Sequence, residues 1–204
     1  MIFKFLRNIY RIFIRSLHWL NNFKKRYFNF VFPNLIFLIS KRVNYRSYPI
    51  CNQKVILTGA GIAEIGQNCT FGYKPGGFHK GGQIEIQARY KDAFIKIGDN
   101  VVTNNNLYFC AANYIEIGNN TLLGRNVSMM DSEGHRSHPE KRHEMGKIGE
   151  IVIGQNVMIG NDVVILRDTK IGDNSIVALG AVVKGHFPDN VIIGGMPARI
   201  IKPL

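Results

Sequence analysis

The chain has 204 residues and a net charge of +12, long enough for one domain with a full core plus an appendage. The first 50 residues hold ten Lys or Arg and no Asp or Glu, while the rest carries 16 basic and 14 acidic residues, so the charge excess belongs to the N-terminus alone. Three irregularly spaced cysteines, Cys51, Cys69 and Cys110, exclude a disulfide framework and a metal knuckle and point to reduced core thiols in a cytosolic protein.

Residues 2–20 read as an amphipathic helix. Lys4, Arg7, Arg11, Arg15 and His18 share one face, and Ile2, Leu6, Ile9, Phe13, Leu17 and Leu20 the opposite one. No small-residue cleavage site follows this stretch, so no signal peptide is expected. Its apolar side must be covered, by the protein's own β-domain, by a neighbouring subunit, or by the interface of an anionic membrane, to which Lys24, Lys25 and Arg26 would add attraction. Tyr27 to Ile39, interrupted by Pro33 and Asn34, is too short to span a bilayer. No nucleic-acid reading module accompanies the basic charge, and the many Phe and Leu residues favour lipid or protein contact, so no nucleic-acid partner is expected. Residues 1–50 are therefore set apart as a basic, aromatic-rich helical appendage, with residues 51–204 as the main domain.

Within that domain a period of six takes over. IGQNCT at Ile65 and IGDNVV at Ile97 fit it, and Thr103, Phe109, Ile117 and Leu123 continue it with an offset of two near Ile115. Phe71 to Gln83, rich in glycine, reads as a loop leaving the pattern. The cleanest run is Ile153 to Val183, where an aliphatic residue recurs at Ile153, Ile159, Ile165, Ile171, Val177 and Val183, and a small or branched one stands four places after most of them. The intervening Gly, Asn and Asp fit neither a helical face nor an alternating strand. Each unit reads as a short strand ending in a turn, and such units bury an apolar face only when stacked as a parallel β-helix. Residues 131–147, DSEGHRSHPEKRHEMGK, break the repeat and must leave the prism as an excursion.

These hexapeptides, the DSEGH before the excursion and the closing GGMPARIIK resemble the hexapeptide-repeat acyltransferases. The resemblance implies an all-β, left-handed parallel β-helix with three hexapeptides per coil, acetyl-CoA as donor, and a homotrimer with each active site between subunits. It is strongest with the enzymes that O-acetylate surface polysaccharides or their lipid-linked precursors, which would place the protein in the cytoplasm or at the inner face of a bacterial membrane. In that family a Gly-His pair before the long loop supplies the catalytic histidine, here His135. Neutral imidazole can take a proton from an attacking hydroxyl near physiological pH and return it to the departing thiolate.

The same resemblance assigns Asn104 to acceptor binding and Asn161 to the place of an oxyanion-stabilising Ser. It puts the backbone of Leu179 and Gly180 against the pantetheine arm and makes Lys184, Arg199 and Lys202 candidates for CoA phosphates. Asp131 could bind an acceptor hydroxyl or orient His135, or be a turn-forming residue at the coil exit. Asn105 and Asn106 blur which of three asparagines faces the cleft. Zinc carbonic anhydrases of the γ class share such a β-helix and use three histidines, and His138 with His143 offers a pair, but both lie in the irregular loop, so no metal is expected. An N-acetyltransferase of a sugar nucleotide, a xenobiotic acetyltransferase and a non-catalytic trimeric scaffold remain alternatives at this point.

Overall fold

The computed structural model describes residues 14–24, 26–79 and 81–204. Short strands wind into a triangular prism, and each pairs in parallel with the strands one coil before and after it. The first face runs through Val43–Tyr45, Ile62–Ile65, Phe94–Ile97, Tyr114–Ile117, Glu150–Ile153 and the second half of Val164–Ile171. The second runs through Ile50–Cys51, Thr70–Phe71, Val102–Thr103, Leu122–Leu123, Met158–Ile159, Ile176–Val177 and Val191–Gly195. The third comprises Lys54–Gly59, Gln83–Ala88, Tyr108–Ala111, Ser128–Met130 and the first half of Val164–Ile171. The strand Val182–Phe187 extends the third and first faces together.

The period of six becomes the core. Ile153, Ile159, Ile165, Ile171, Val177 and Val183 are at most 1% exposed, as are Val157, Val163, Thr169, Ser175 and Ala181 four places on. Identical positions stack coil over coil, with Ile115 between Ile95 and Ile151. Corners fall on Asn or Asp in the left-handed region, among them Asn100, Asn120, Asn156 and Asn174 with φ of 54–60°. Asn and Asp tolerate that conformation better than other residues with a Cβ. Their side chains also bond along the edge: Asn100 donates to Asn120 at 3.0 Å, Asn156 to Asn174 at 2.9 Å and Asn174 to Asn190 at 3.1 Å. Gly118 shows why glycine precedes these corners, since a Cβ there would lie 2.4 Å from the Gly154 carbonyl oxygen of the next coil.

Both ends of the prism are closed. At the start, the helix Phe32–Leu38 drops Phe37 onto the first coil, 1% exposed, with ring centroids 5.8 Å from Tyr45 and 6.3 Å from Phe71. Beside it the buried Asn34 accepts from Val55 N–H at 2.6 Å and donates to the Gln53 carbonyl at 3.1 Å, which fixes the helix on the coil. At the far end Ala198–Pro203 turns back antiparallel on Val191–Gly195 after a cis Met196–Pro197 bond, so the last parallel strand is not left as an open edge.

Two expectations change, and a third gains its physical cause. The prism begins at Val43, buried and paired with Ala63, so the boundary at residue 50 lies too late; the basic Lys41, Arg42 and Arg46 around it disguised an entry strand as appendage. Pro33 does not interrupt the helical run, because the π-helical turn Tyr27–Val31 widens the backbone just before it and absorbs the hydrogen bond that proline cannot make. The offset near Ile115 is a lengthened corner between Ala111 and Tyr114, within the coil that carries Ile95 to Ile115 in 20 residues.

Of the helix expected over residues 2–20, residues 2–13 lie outside the described residues, and residues 14–24 are helical. Leu17, Trp19, Leu20 and Phe23 are exposed there, with Trp19, Phe23 and Tyr27 stacked in a row. Among the described residues no helix is long and apolar enough to cross a membrane. The three cysteines are free, Cys69 and Cys110 buried, and burial pushes the Cys51 thiol up to about 12.

Candidate functional site

The excursion after Met130 is a tied ribbon. Glu133 N–H donates to the Lys147 carbonyl at 2.9 Å, Gly146 N–H to the Glu133 carbonyl at 3.2 Å, and Arg136 N–H to the Glu144 carbonyl at 3.1 Å. One side chain clamps the ribbon to the prism. Arg167, only 12% exposed, donates to Glu133 through Nε at 2.9 Å and Nη2 at 2.5 Å, and also pairs with Asp168. The guanidinium holds the Glu133 carboxyl below its usual range, with a smaller contribution from Lys184.

His135 stands exposed at the tip-side of this clamp, and its Nδ1 lies 2.5 Å from the Arg142 carbonyl oxygen. A carbonyl only accepts, so Nδ1 is the donor in this contact, and in the neutral ring Nε2 is then the nitrogen with the lone pair. The ring is therefore oriented by backbone, and its Nε2 has no partner among the described residues. His138 and His143 are exposed in the same ribbon, and among the described residues no three His, Cys, Asp or Glu side chains gather as a metal site.

Asp131 does not face an acceptor. It is fully buried, and its carboxylate accepts from the N–H groups of Ala112 at 2.6 Å, Asn113 at 2.7 Å and Tyr114 at 2.8 Å. It fills the lengthened corner of the preceding coil, so the turn reading replaces acceptor binding and orientation of His135. Burial pushes its carboxyl upward while the three N–H donors pull against that shift.

Among the three asparagines the structure separates the roles. Asn105 is buried, and its side chain bonds to the Tyr73 and Gly77 backbone; Asn106 donates to Asn126 at 2.7 Å in the corner ladder. Asn104 is half-exposed. Its Oδ1 accepts from Asn105 N–H at 2.8 Å, and its amide nitrogen has no partner among the described residues. Asn161 is exposed in a corner, with Oδ1 accepting from Arg125 N–H at 2.9 Å and its backbone carbonyl from Gly180 N–H at 2.9 Å. Asn161 thus bonds within the corner, and its Nδ2 has no partner among the described residues.

The expected residues fall on two different edges of the prism. His135 and Lys184 lie where the third face meets the first. Asn104, Asn161, Leu179 and Gly180 lie where the second meets the third. Leu179 is 76% exposed there, and Gly180 takes a φ of 71°. Arg199 and Lys202 are exposed on the returning strand outside the second face, and Arg199 Nη1 bonds its neighbour's carbonyl, Ala198 O, at 2.8 Å.

A family model described as bacterial transferase hexapeptide (six repeats) matches residues 150–185. WbbJ of Escherichia coli (strain K12), named provisionally as a lipopolysaccharide biosynthesis O-acetyl transferase, is 30% identical over 170 residues, covering 79% of this chain and 82% of that protein. The chain belongs to the hexapeptide-repeat acetyltransferase family. A galactoside O-acetyltransferase of the same strain is 39% identical over 115 residues, and the match spans only about half of either chain, 54% of each. A hexapeptide-repeat acetyltransferase from Vibrio cholerae O1 biovar eltor, solved with acetyl coenzyme A, superposes with a TM-score of 0.52 at 26% identity over 75% of this chain and 72% of that one. The prism therefore has the left hand of this family of β-helices.

Two residues of the site escaped sequence reading. Glu133 lies inside DSEGH beside His135, and Arg167 is the one arginine between Glu150 and Lys184. A lone arginine in a repeat of Gly, Asn and Asp was the available signal.

Proposed function

We propose that the protein moves an acetyl group from acetyl-CoA directly to a hydroxyl of a sugar, in a surface polysaccharide or its lipid-linked precursor. Nε2 of His135 takes the hydroxyl proton as the oxygen attacks the thioester carbon. The oxyanion that forms meets the amide N–H of Asn161. Collapse breaks the C–S bond, the thiolate takes the proton from the imidazolium, and an acetyl ester and free CoA leave. The observation that carries this reading is the bond from His135 Nδ1 to the Arg142 carbonyl, which leaves a basic nitrogen exposed at the family's catalytic position.

Because His135 and Lys184 occupy one edge and Asn104, Asn161 and Leu179 another, the reading requires the site to form between copies, with one edge supplied by each. A homotrimer meets that requirement. Leu179 offers apolar surface to the pantetheine arm, and the exposed Lys184, Arg199 and Lys202 offer cations to CoA phosphates. The relatives named for O-acetyl transfer favour an ester product. Incubation with acetyl-CoA and a panel of free and lipid-linked sugars tests this: a new acetyl group removed by mild alkali marks an ester, and one that survives marks an amide and the N-acetyl reading.

The N-terminal segment is assigned to the inner surface of an anionic membrane, where lipid-linked acceptors would be met. Trp19, Leu20, Phe23 and Phe28 are exposed, and Arg15, Lys24 and Arg26 accompany them without an acidic residue. The full chain should sediment with phosphatidylglycerol vesicles and not with phosphatidylcholine vesicles. Equal recovery with both, or with neither, would remove the membrane role and leave a neighbouring subunit as the cover.

A further inference from the structure

Three local irregularities meet at one place. Phe78 has a φ of 62°, and every other non-glycine residue with positive φ in the described chain is Asn or Asp. A bulky residue resists that conformation, so something must hold it there. His79 Nδ1 and Arg125 Nε are the two buried side-chain nitrogens without a hydrogen-bond partner among the described residues. Phe78 and His79 belong to the glycine-rich excursion of the second coil, and the Arg125 guanidinium sits over the Phe78 ring, 5.9 Å from its centroid.

The excursion is a built structure. Asn105, fully buried, accepts from Tyr73 N–H at 2.9 Å and donates to the Tyr73 carbonyl at 2.8 Å and the Gly77 carbonyl at 3.0 Å. Gln53, also buried, donates to the Phe78 carbonyl at 2.8 Å, and Gly82 N–H reaches the same oxygen at 2.8 Å. Two buried carboxamides thus serve chiefly to fix this backbone. What they present outward is two aromatic rings, Tyr73 and Phe78, each more than half exposed at 54% and 53%.

The place is beside the transfer point. A Cβ on Gly76 would lie 2.6 Å from Asn104 Oδ1, so the excursion borders Asn104, while Arg125, over Phe78, donates its backbone N–H to Asn161. Arg125 keeps 41% of its side chain exposed, with only a loose ion pair to Asp162 at 3.5 Å. A guanidinium with spare donors beside exposed ring faces suits a ligand with a flat apolar side and a negative group.

We propose that the excursion 72–79 and 81–82, with Arg125, is the acceptor subsite for an anionic saccharide: Tyr73 and Phe78 pack against the sugar ring, and Arg125 binds its carboxylate or phosphate. This rests on the sugar-acetyltransferase reading for its place in the reaction, but the binding itself does not require transfer. The strain at Phe78 and the orphaned nitrogens then belong to a surface shaped for its ligand, at some loss of stability.

The test is titration calorimetry on the full chain without acetyl-CoA, using methyl glucuronide, glucose 1-phosphate and methyl glucoside. The wild type should bind at least one of the two anionic sugars about tenfold more tightly than the glucoside, and the tighter one names the group. Arg125→Gln should abolish that preference. Phe78→Gly should weaken all three while the thermal midpoint stays or rises, because glycine relieves the positive φ. Equal binding of charged and neutral sugars, no binding, a preference that survives Arg125→Gln, or a Phe78→Gly variant that loses stability along with affinity would each overturn the proposal. Acetyl transfer that fails while these affinities stand would overturn the enzyme reading and leave the subsite.

Discussion

Nδ1 of His135 is 2.5 Å from the carbonyl oxygen of Arg142, seven residues further along the same ribbon. The contact orients the ring without using an ionisable partner, and among the described residues no carboxylate bonds to it. The ribbon itself is the orienting group, and anything that loosens the ribbon should act on the histidine.

Nitrogen-15 spectra of the His135 ring at mildly alkaline pH should therefore show Nδ1 protonated and Nε2 bare. The opposite tautomer, or a fast mixture of the two, would remove the structural basis for proton abstraction by Nε2.

Glu133 and Arg167 position the ribbon, and Glu133→Gln should lower kcat by about tenfold with KM for acetyl-CoA little changed. The pair also predicts a response to acid. Because the folded carboxyl is held below its unfolded value, its contribution is present above that value and is lost as pH falls through the lowered one. Hydrogen exchange in residues 133–147 should rise over that acid range before exchange in the coils does, and Glu133→Gln should show the faster exchange already at neutral pH.

Asp131→Ala tests whether that residue belongs to the coil or to the acceptor. Removing its carboxylate strands three N–H groups, that of Ala112 buried and those of Asn113 and Tyr114 partly so, each worth ~1–3 kcal/mol when orphaned, so a loss of about 3 kcal/mol in denaturant unfolding is expected. The folded fraction should keep its KM for the acceptor. A raised KM with unchanged stability would restore the acceptor role.

Phe37→Ala should cost ~3–5 kcal/mol, since the ring fills the open end of the prism against Tyr45 and Phe71. Unchanged stability would mean that the helix Phe32–Leu38 is an ornament on the coil and not its cap.

A site shared between copies predicts complementation. His135→Ala and Asn161→Ala, each inactive or nearly so alone, should regain a measurable part of wild-type transfer when co-expressed, because some interfaces then pair an intact His135 with an intact Asn161. No recovery in co-purified mixed oligomers would place both residues in one subunit's site.

The repeat was legible because its period is a covalent fact: Ile153 to Val183 alternates inward residues with corner residues, and each fell where the spacing put it. Gly-Asn and Gly-Asp pairs announced the corners for the same reason. Asp131 was ambiguous because an aspartate at a coil exit looks alike whether it binds water, ligand or backbone. The lengthened corner at Ala112 and Asn113 that it serves lies 18 residues or more before it, beyond any local pattern. Glu133 with Arg167 was hidden similarly, being a pair 34 residues apart joined only once the coil has closed. The strand Val43–Tyr45 was misread because its charged neighbours resembled the appendage more than the β-helix.

The most direct test of the account is acetyl transfer from labelled acetyl-CoA to a panel of mono-, oligo- and lipid-linked sugars, with wild type and His135→Ala side by side. With His135 as the general base, the wild type transfers acetyl and the variant falls by at least ~10², the usual scale of general-base catalysis. Equal transfer by the two proteins would contradict it.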